Sequence, residues 1–144
     1  MKFLINKLIV FLKLKNQEKF VFFLSFLILF LTSFFFKILS FRQIIKFTNF
    51  LTKKRLFNKN QRISLHKIYI IHSKCFGVTY NTSCLVKCIS GKIILSLMGY
   101  KTLILNGIKF EKGKLKGHAW LSLENGEILE NKDIVSQYKI SFII

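Results

Sequence analysis

Two side chains carry the chemistry that stands out in this sequence: Cys84 and, 34 residues further on, His118. Asn81, Thr82 and Ser83 immediately precede the cysteine, and short polar residues of this kind cap helix N-termini by accepting from unpaired backbone N–H groups. Leu85, Cys88, Ile89, Ile93, Ile94, Leu95, Leu97 and Met98 then form a broad apolar helical face. Gly99 falls where a left-handed residue would end that helix. Cys84 is therefore predicted in the first turn of a mostly buried helix. Free N–H groups and the positive dipole end favour thiolate over thiol there. The same N–H groups can hold the oxyanion formed in acyl transfer. A His brought alongside would complete a nucleophile–base pair. Spacing alone is weak support, because a lone Cys usually serves as a small buried hydrophobe.

The elements that must position His118 are β-like. Residues 102–110 are rich in Leu and Ile, with Gly107 as a candidate bulge. A turn at 111–114 leads into a second strand at 115–123, and Asn125-Gly126 is a strong hairpin signal. The return strand starts at Glu127, and a last strand is expected over 136–143. His118 and Trp120 share one face of the middle strand, and Ala119, Leu121 and Leu123 share the other. With a two-residue turn, residue 124 pairs with 127 and Asp133 falls opposite His118. Asn131 then shares that face and Glu130 points away. A bulge at the turn reverses the choice. Asp133 is favoured as the orienting acid, since an ionised carboxylate best stabilises an imidazolium, while Asn131 could still orient the ring. His66, His72 and Cys75 match no zinc spacing, so neither a metal nor a cofactor is expected.

The chain has 144 residues, enough for one domain, and 51% of them are hydrophobic, so a core can form. Its formal net charge is +18, unevenly spread: up to Lys109 there are 19 basic residues and one acid, Glu18. The other five acids follow from Glu111 onward, balanced by five lysines. Phenylalanine is skewed as well, with 14 of 17 at or before Phe57. We divide the chain into a basic, Phe-rich helical region at 1–60 and a differently built core at 61–144.

Residues 1–14 read as a basic amphipathic helix. Residues 20–36 are an uncharged run of 17 between Lys19 and Lys37. As a helix this run reaches roughly 25 Å, short of a ~30 Å hydrocarbon core, and so stands between a membrane span and a buried helix. Membrane association through 1–40 stays open. If the run spans, the basic residues after Lys37 put the remainder in the cytoplasm. On either reading the location is cytoplasmic, with the cytoplasmic face of the membrane as the variant. No nucleic-acid-binding signature is present, so the lysines read as a solvated surface or as a site for anionic lipid or an acidic peptide, and no nucleic acid is expected as a partner.

Cys84-Leu85 with Cys88 and Gly99, then Leu103, Leu105, Gly107 and Ile108, then Gly117-His118-Ala119-Trp120, resembles the transglutaminase-like cysteine protease of lasso-peptide biosynthesis. The apolar run followed by Leu39, Phe41, Arg42 and Ile44 is similar to the region before the protease core in that family. The resemblance implies an α+β fold in which apolar N-terminal helices precede a papain-like core, with a Cys-bearing helix packed on a small antiparallel sheet. It implies removal of the leader from a ribosomally made precursor peptide. A small leader-recognition protein delivers the leader, and a separate lasso cyclase closes the ring. Cys84 matches the nucleophile and His118 the base. Cys88 falls where the family commonly has a small residue, and reads as packing. The family places an Asp about twelve residues after the His, where this chain has Glu130. Two other functions remain in play: transglutaminase-type acyl transfer, and a non-catalytic membrane-associated binding or scaffold protein.

Overall fold

The computed structural model describes residues 14–53, 63–76 and 83–144. The amphipathic helix expected at 1–14, apart from Leu14, and Asn81 and Thr82 of the capping cluster lie outside the described residues. Five helices and three strands follow in order: α1 (Asn16–Ile38), α2 (Phe41–Thr52), α3 (Leu65–Phe76), α4 (Cys84–Leu97), β1 (Thr102–Glu111), β2 (Lys114–Leu123), α5 (Lys132–Val135) and β3 (Lys139–Ile143). The fold is α+β, as expected: helices first, then a small antiparallel sheet of order β2-β1-β3.

The local chemistry explains the boundaries of the helix that matters most. Ser83 caps α4, its hydroxyl accepting from the Val86 N–H at 3.3 Å. At the other end Gly99 has φ of 87°, and the Tyr100 N–H bonds back to the Leu95 carbonyl at 2.9 Å, closing a Schellman turn that a β-carbon would strain. Between these caps Val86, Cys88, Ile89, Ile93, Ile94 and Leu95 are buried.

α1 and α2 are part of the same interior. Val21, Ile28 and Ile44 from the front of the chain belong to one buried cluster with Ile68 and Ile71 of α3, Ile89 and Ile94 of α4, and Ile104, Ala119 and Leu121 of the sheet. α1 packs along both α3 and α4. Its buried face also carries polar groups. Glu18 accepts from the Lys15 N–H at 3.2 Å and pairs with Lys67 of α3 at 2.5 Å, and the Thr32 hydroxyl donates to the Ile28 carbonyl at 2.7 Å.

The last strand begins at Lys139 instead of residue 136 because 132–135 form the one-turn helix α5, capped by Asn131. A register shift between Asn106 and Gly107 marks the irregularity expected at Gly107, on the side of β1 that pairs with β3. Gly107 has a second role. A β-carbon there would lie 2.6 Å from Trp120 Cη2 and 2.8 Å from Tyr138 Cβ, so the bare backbone admits the indole.

Candidate active site

Cys84 opens α4, half-buried, and it packs against the main core cluster. Of the three thiols it alone is not fully enclosed. Burial pushes the Cys75 thiol up to about 12, and it donates to the Phe22 carbonyl at 3.6 Å. Burial raises Cys88 further, with the neighbouring charge of Glu130 adding to the effect. Both are core thiols, which for Cys88 agrees with the packing role expected of it.

His118 lies on β2 opposite Gly107, on the face of Trp120. Its ring stacks on Trp120 at 6.1 Å and lies tilted against Tyr138 at 5.2 Å between centroids. Trp120 is buried and Tyr138 partly so, and with Leu105 and Val135 they make a second, smaller cluster that walls the imidazole. His118 Nε2 is enclosed without a hydrogen-bond partner, and the carboxylate nearest to it is Glu130, at 4.0 Å.

That acid differs from the one favoured on sequence, and the hairpin explains why. The Leu123 N–H bonds the Glu127 carbonyl at 2.8 Å, Ser122 bridges Ile128, and the Leu129 N–H bonds the Leu121 carbonyl at 3.0 Å. Residues 124–126 thus form a three-residue loop, closed by Gly126 at φ of 86°, instead of a two-residue turn. The register moves by one, which exchanges the faces. Leu129 turns to the main core and Glu130 to the side of Trp120 and His118. Asp133 does not come opposite His118: it sits exposed in α5, its backbone N–H bonded to Asn131 Oδ1 at 2.9 Å. Asn131 is occupied as that helix's cap.

Glu130 ties the sheet side to the cysteine helix. Lys87, one turn beyond Cys84, donates to Glu130 Oε1 at 2.8 Å, and the Tyr69 hydroxyl of α3 donates to Oε2 at 3.5 Å. Burial opposes the Lys87 ammonium, yet the bond to Glu130 and the nearby Tyr69 hold its pKa above the ordinary value. Burial raises the Tyr69 phenol. One carboxylate is thereby held by an ammonium from α4 while it approaches the imidazole on β2. An open cleft of about 510 Å³ runs along this pair, lined by Tyr69, Lys87, Leu129, Glu130 and Asn131 among others.

Sequence reasoning missed Lys87, Tyr69 and Tyr138. Lys87 could have been flagged as a lone cation on an otherwise apolar helix face. Nothing in the spacing joins it to an acid 43 residues away. His66 and His72 serve elsewhere. His66 pairs with Glu127 at 2.9 Å, and the enclosed His72 ring shares Nε2 with the Lys87 carbonyl at 3.0 Å and the Ser90 hydroxyl at 3.2 Å. Among the described residues no three His, Cys, Asp or Glu side chains gather as metal ligands.

Residues 37–142 match the model of the transglutaminase-like superfamily, a span holding Cys84, His118 and Glu130. The chain belongs to that superfamily. No curated protein and no solved structure matches it. Transglutaminase-like proteins are commonly cysteine-dependent enzymes of the protease or acyl-transfer type. The superfamily match begins at Lys37, within α1.

Proposed function

We propose that this chain is a cysteine peptidase that removes the leader from a ribosomally made lasso-peptide precursor. Cys84 is the nucleophile, His118 the base and Glu130 the orienting carboxylate. The observation that carries the triad is the position of Glu130, 2.8 Å from Lys87 on the turn after Cys84 and 4.0 Å from His118 Nε2. The run from Cys84-Leu85 to Gly117-His118-Ala119-Trp120 supports the choice of substrate.

In this mechanism His118 takes the proton of Cys84, and Sγ attacks the carbonyl that ends the leader. Backbone N–H groups at the start of α4 hold the oxyanion. The imidazolium gives its proton to the leaving amine, which becomes the N-terminus of the core peptide, and the leader stays on Sγ as a thioester. His118 then deprotonates water, hydroxide resolves the thioester, and the thiol is restored. Glu130 stabilises the imidazolium through Nε2, and at 4.0 Å it must close by about 1 Å to form a full hydrogen bond. A small recognition protein would deliver the leader, and a separate cyclase would act on the released core.

The test is incubation of the protein with its precursor and recognition protein, followed by mass spectrometry. The expected products are free leader and core, lost on Cys84→Ala. Cleavage that persists in Cys84→Ala overturns the reading. The superfamily also supports acyl transfer, which differs only in what resolves the thioester. A product joined through an amine in place of two hydrolysed peptides would establish that alternative.

A further inference from the structure

The long apolar helix α1 has two faces with different surroundings. Val21, Ser25, Ile28, Leu29 and Thr32 are buried against the rest of the protein. On the other side, steps of three and four residues connect Lys19, Phe23, Leu27, Phe30, Phe34 and Lys37 into one stripe. Phe23 is 67% exposed, Phe30 60% and Phe34 51%, unusual values for aromatic side chains. Phe41 and Phe47 of α2 extend the apolar surface, and an apolar cavity of about 240 Å³ lies between the two helices. The stripe begins and ends with lysine, and Lys15, Arg42 and Lys46 are exposed around it.

We propose that this face is a membrane-docking surface, on which α1 lies in the plane of an anionic bilayer. The exposed aromatics would enter the boundary between headgroups and acyl chains, while the lysines at both ends reach lipid phosphates. Charge selects this occupant over an apolar protein partner or a second copy of the chain. The surround of the stripe is cationic, so two copies would repel, and anionic headgroups supply the complement.

The buried face decides the orientation. α1 has 23 residues, and its most apolar stretch of 18 has a mean hydropathy of 2.3, so it has the length and composition to cross a bilayer. Crossing would strip Glu18 from Lys67 and expose the core residues of α3 and α4 that α1 covers. The helix therefore lies along the surface, and the candidate active site stays in the water beside it.

The test is flotation of the full chain with vesicles of phosphatidylcholine alone and of equal parts phosphatidylcholine and phosphatidylglycerol. We expect binding to the anionic vesicles, weakened by added salt, and release by alkaline carbonate. Replacing Phe23 and Phe30 together by Ser should weaken partitioning by about tenfold or more, whereas Ile134→Ser should not change it. Should the double variant lose its cooperative melt, Phe30→Trp gives a second measure: its added emission must be quenched by brominated lipid. Absence of flotation with anionic vesicles overturns the proposal. So does resistance to carbonate, which marks a spanning helix, and so does loss of binding with Phe110→Ser but not with the α1 variants. Because partitioning is read equally well with Cys84→Ala protein, the outcome is separate from that of the peptidase reading.

Discussion

A haloacetamide probe at neutral pH should modify Cys84 and spare Cys75 and Cys88, whose thiols burial holds in the protonated form. Peptide mapping of the native protein checks this, and labelling of Cys88 at a comparable rate would contradict it. At the same scale, Glu130→Gln should lower kcat by about 10²- to 10⁴-fold, with the fold intact because the amide keeps the shape and one acceptor. Asp133→Asn should stay within about twofold of the wild type, its side chain being exposed in α5. Steady-state cleavage of the precursor compares the two. The helix start at Cys84 and the strand position of His118 were legible in the sequence, because helix caps and strand alternation are local signals. The acid was not. The choice between Asp133 and Glu130 turned on one residue in the loop after Leu123, and a one-residue difference exchanges every face downstream. The pairing of Lys87 was hidden for another reason: its partner arrives only through tertiary packing.

The elements carry their own tests. Gly107→Ala should cost about 2 kcal/mol, as overpacking against a rigid ring does. The new methyl would meet Trp120 Cη2 at 2.6 Å and Tyr138 Cβ at 2.8 Å, both parts of the wall around His118. A lower urea midpoint together with a fall in kcat is the expected pair of results. His72 gives the α3–α4 contact a pH dependence. Burial holds its pKa down to about 4, against an ordinary value of 6.5. The unfolded chain therefore takes up the proton first. The stabilisation is complete above about pH 6.5 and is lost as pH falls towards 4, a change of about 3 kcal/mol. Urea midpoints at pH 6.5, 5.5 and 4.5 should decline, and His72→Gln should flatten the decline. The hydrogen bond to Lys67 also lowers the Glu18 carboxyl, but its contribution is lost only below pH 4.5, so the two windows separate. The two long strands were readable from alternation and turn residues, whereas the return strand expected from Glu127 is only a single bridge between Ser122 and Ile128. The short α5 was not, since its four residues leave too little periodicity to distinguish a helical turn from the start of the expected strand.

On the scale of the whole molecule, the helical front and the sheet share one interior. A chain starting at residue 39 keeps nearly all of the superfamily match yet loses the helix that packs along α3 and α4. Such a truncation should lose its cooperative thermal transition and elute as an aggregate on size exclusion. A soluble, cooperatively melting fragment would show that α1 is dispensable. Hydropathy alone does not reveal this dependence, because the run from 20 to 36 is apolar all round. What distinguishes its two sides is the alignment of Glu18, Ser25 and Thr32 on the face that turns inward, where the Thr32 hydroxyl bonds its own helix.

The indole beside His118 belongs to the chain's only tryptophan, 1% exposed. Fluorescence excited at the red edge of the absorption band, where the four tyrosines do not absorb, is therefore a report from a single place. Emission should be blue-shifted, as for an indole kept from water, and its intensity should follow the charge on the imidazole stacked against it. Stopped-flow traces without any attached dye could then time substrate arrival and acyl-enzyme turnover.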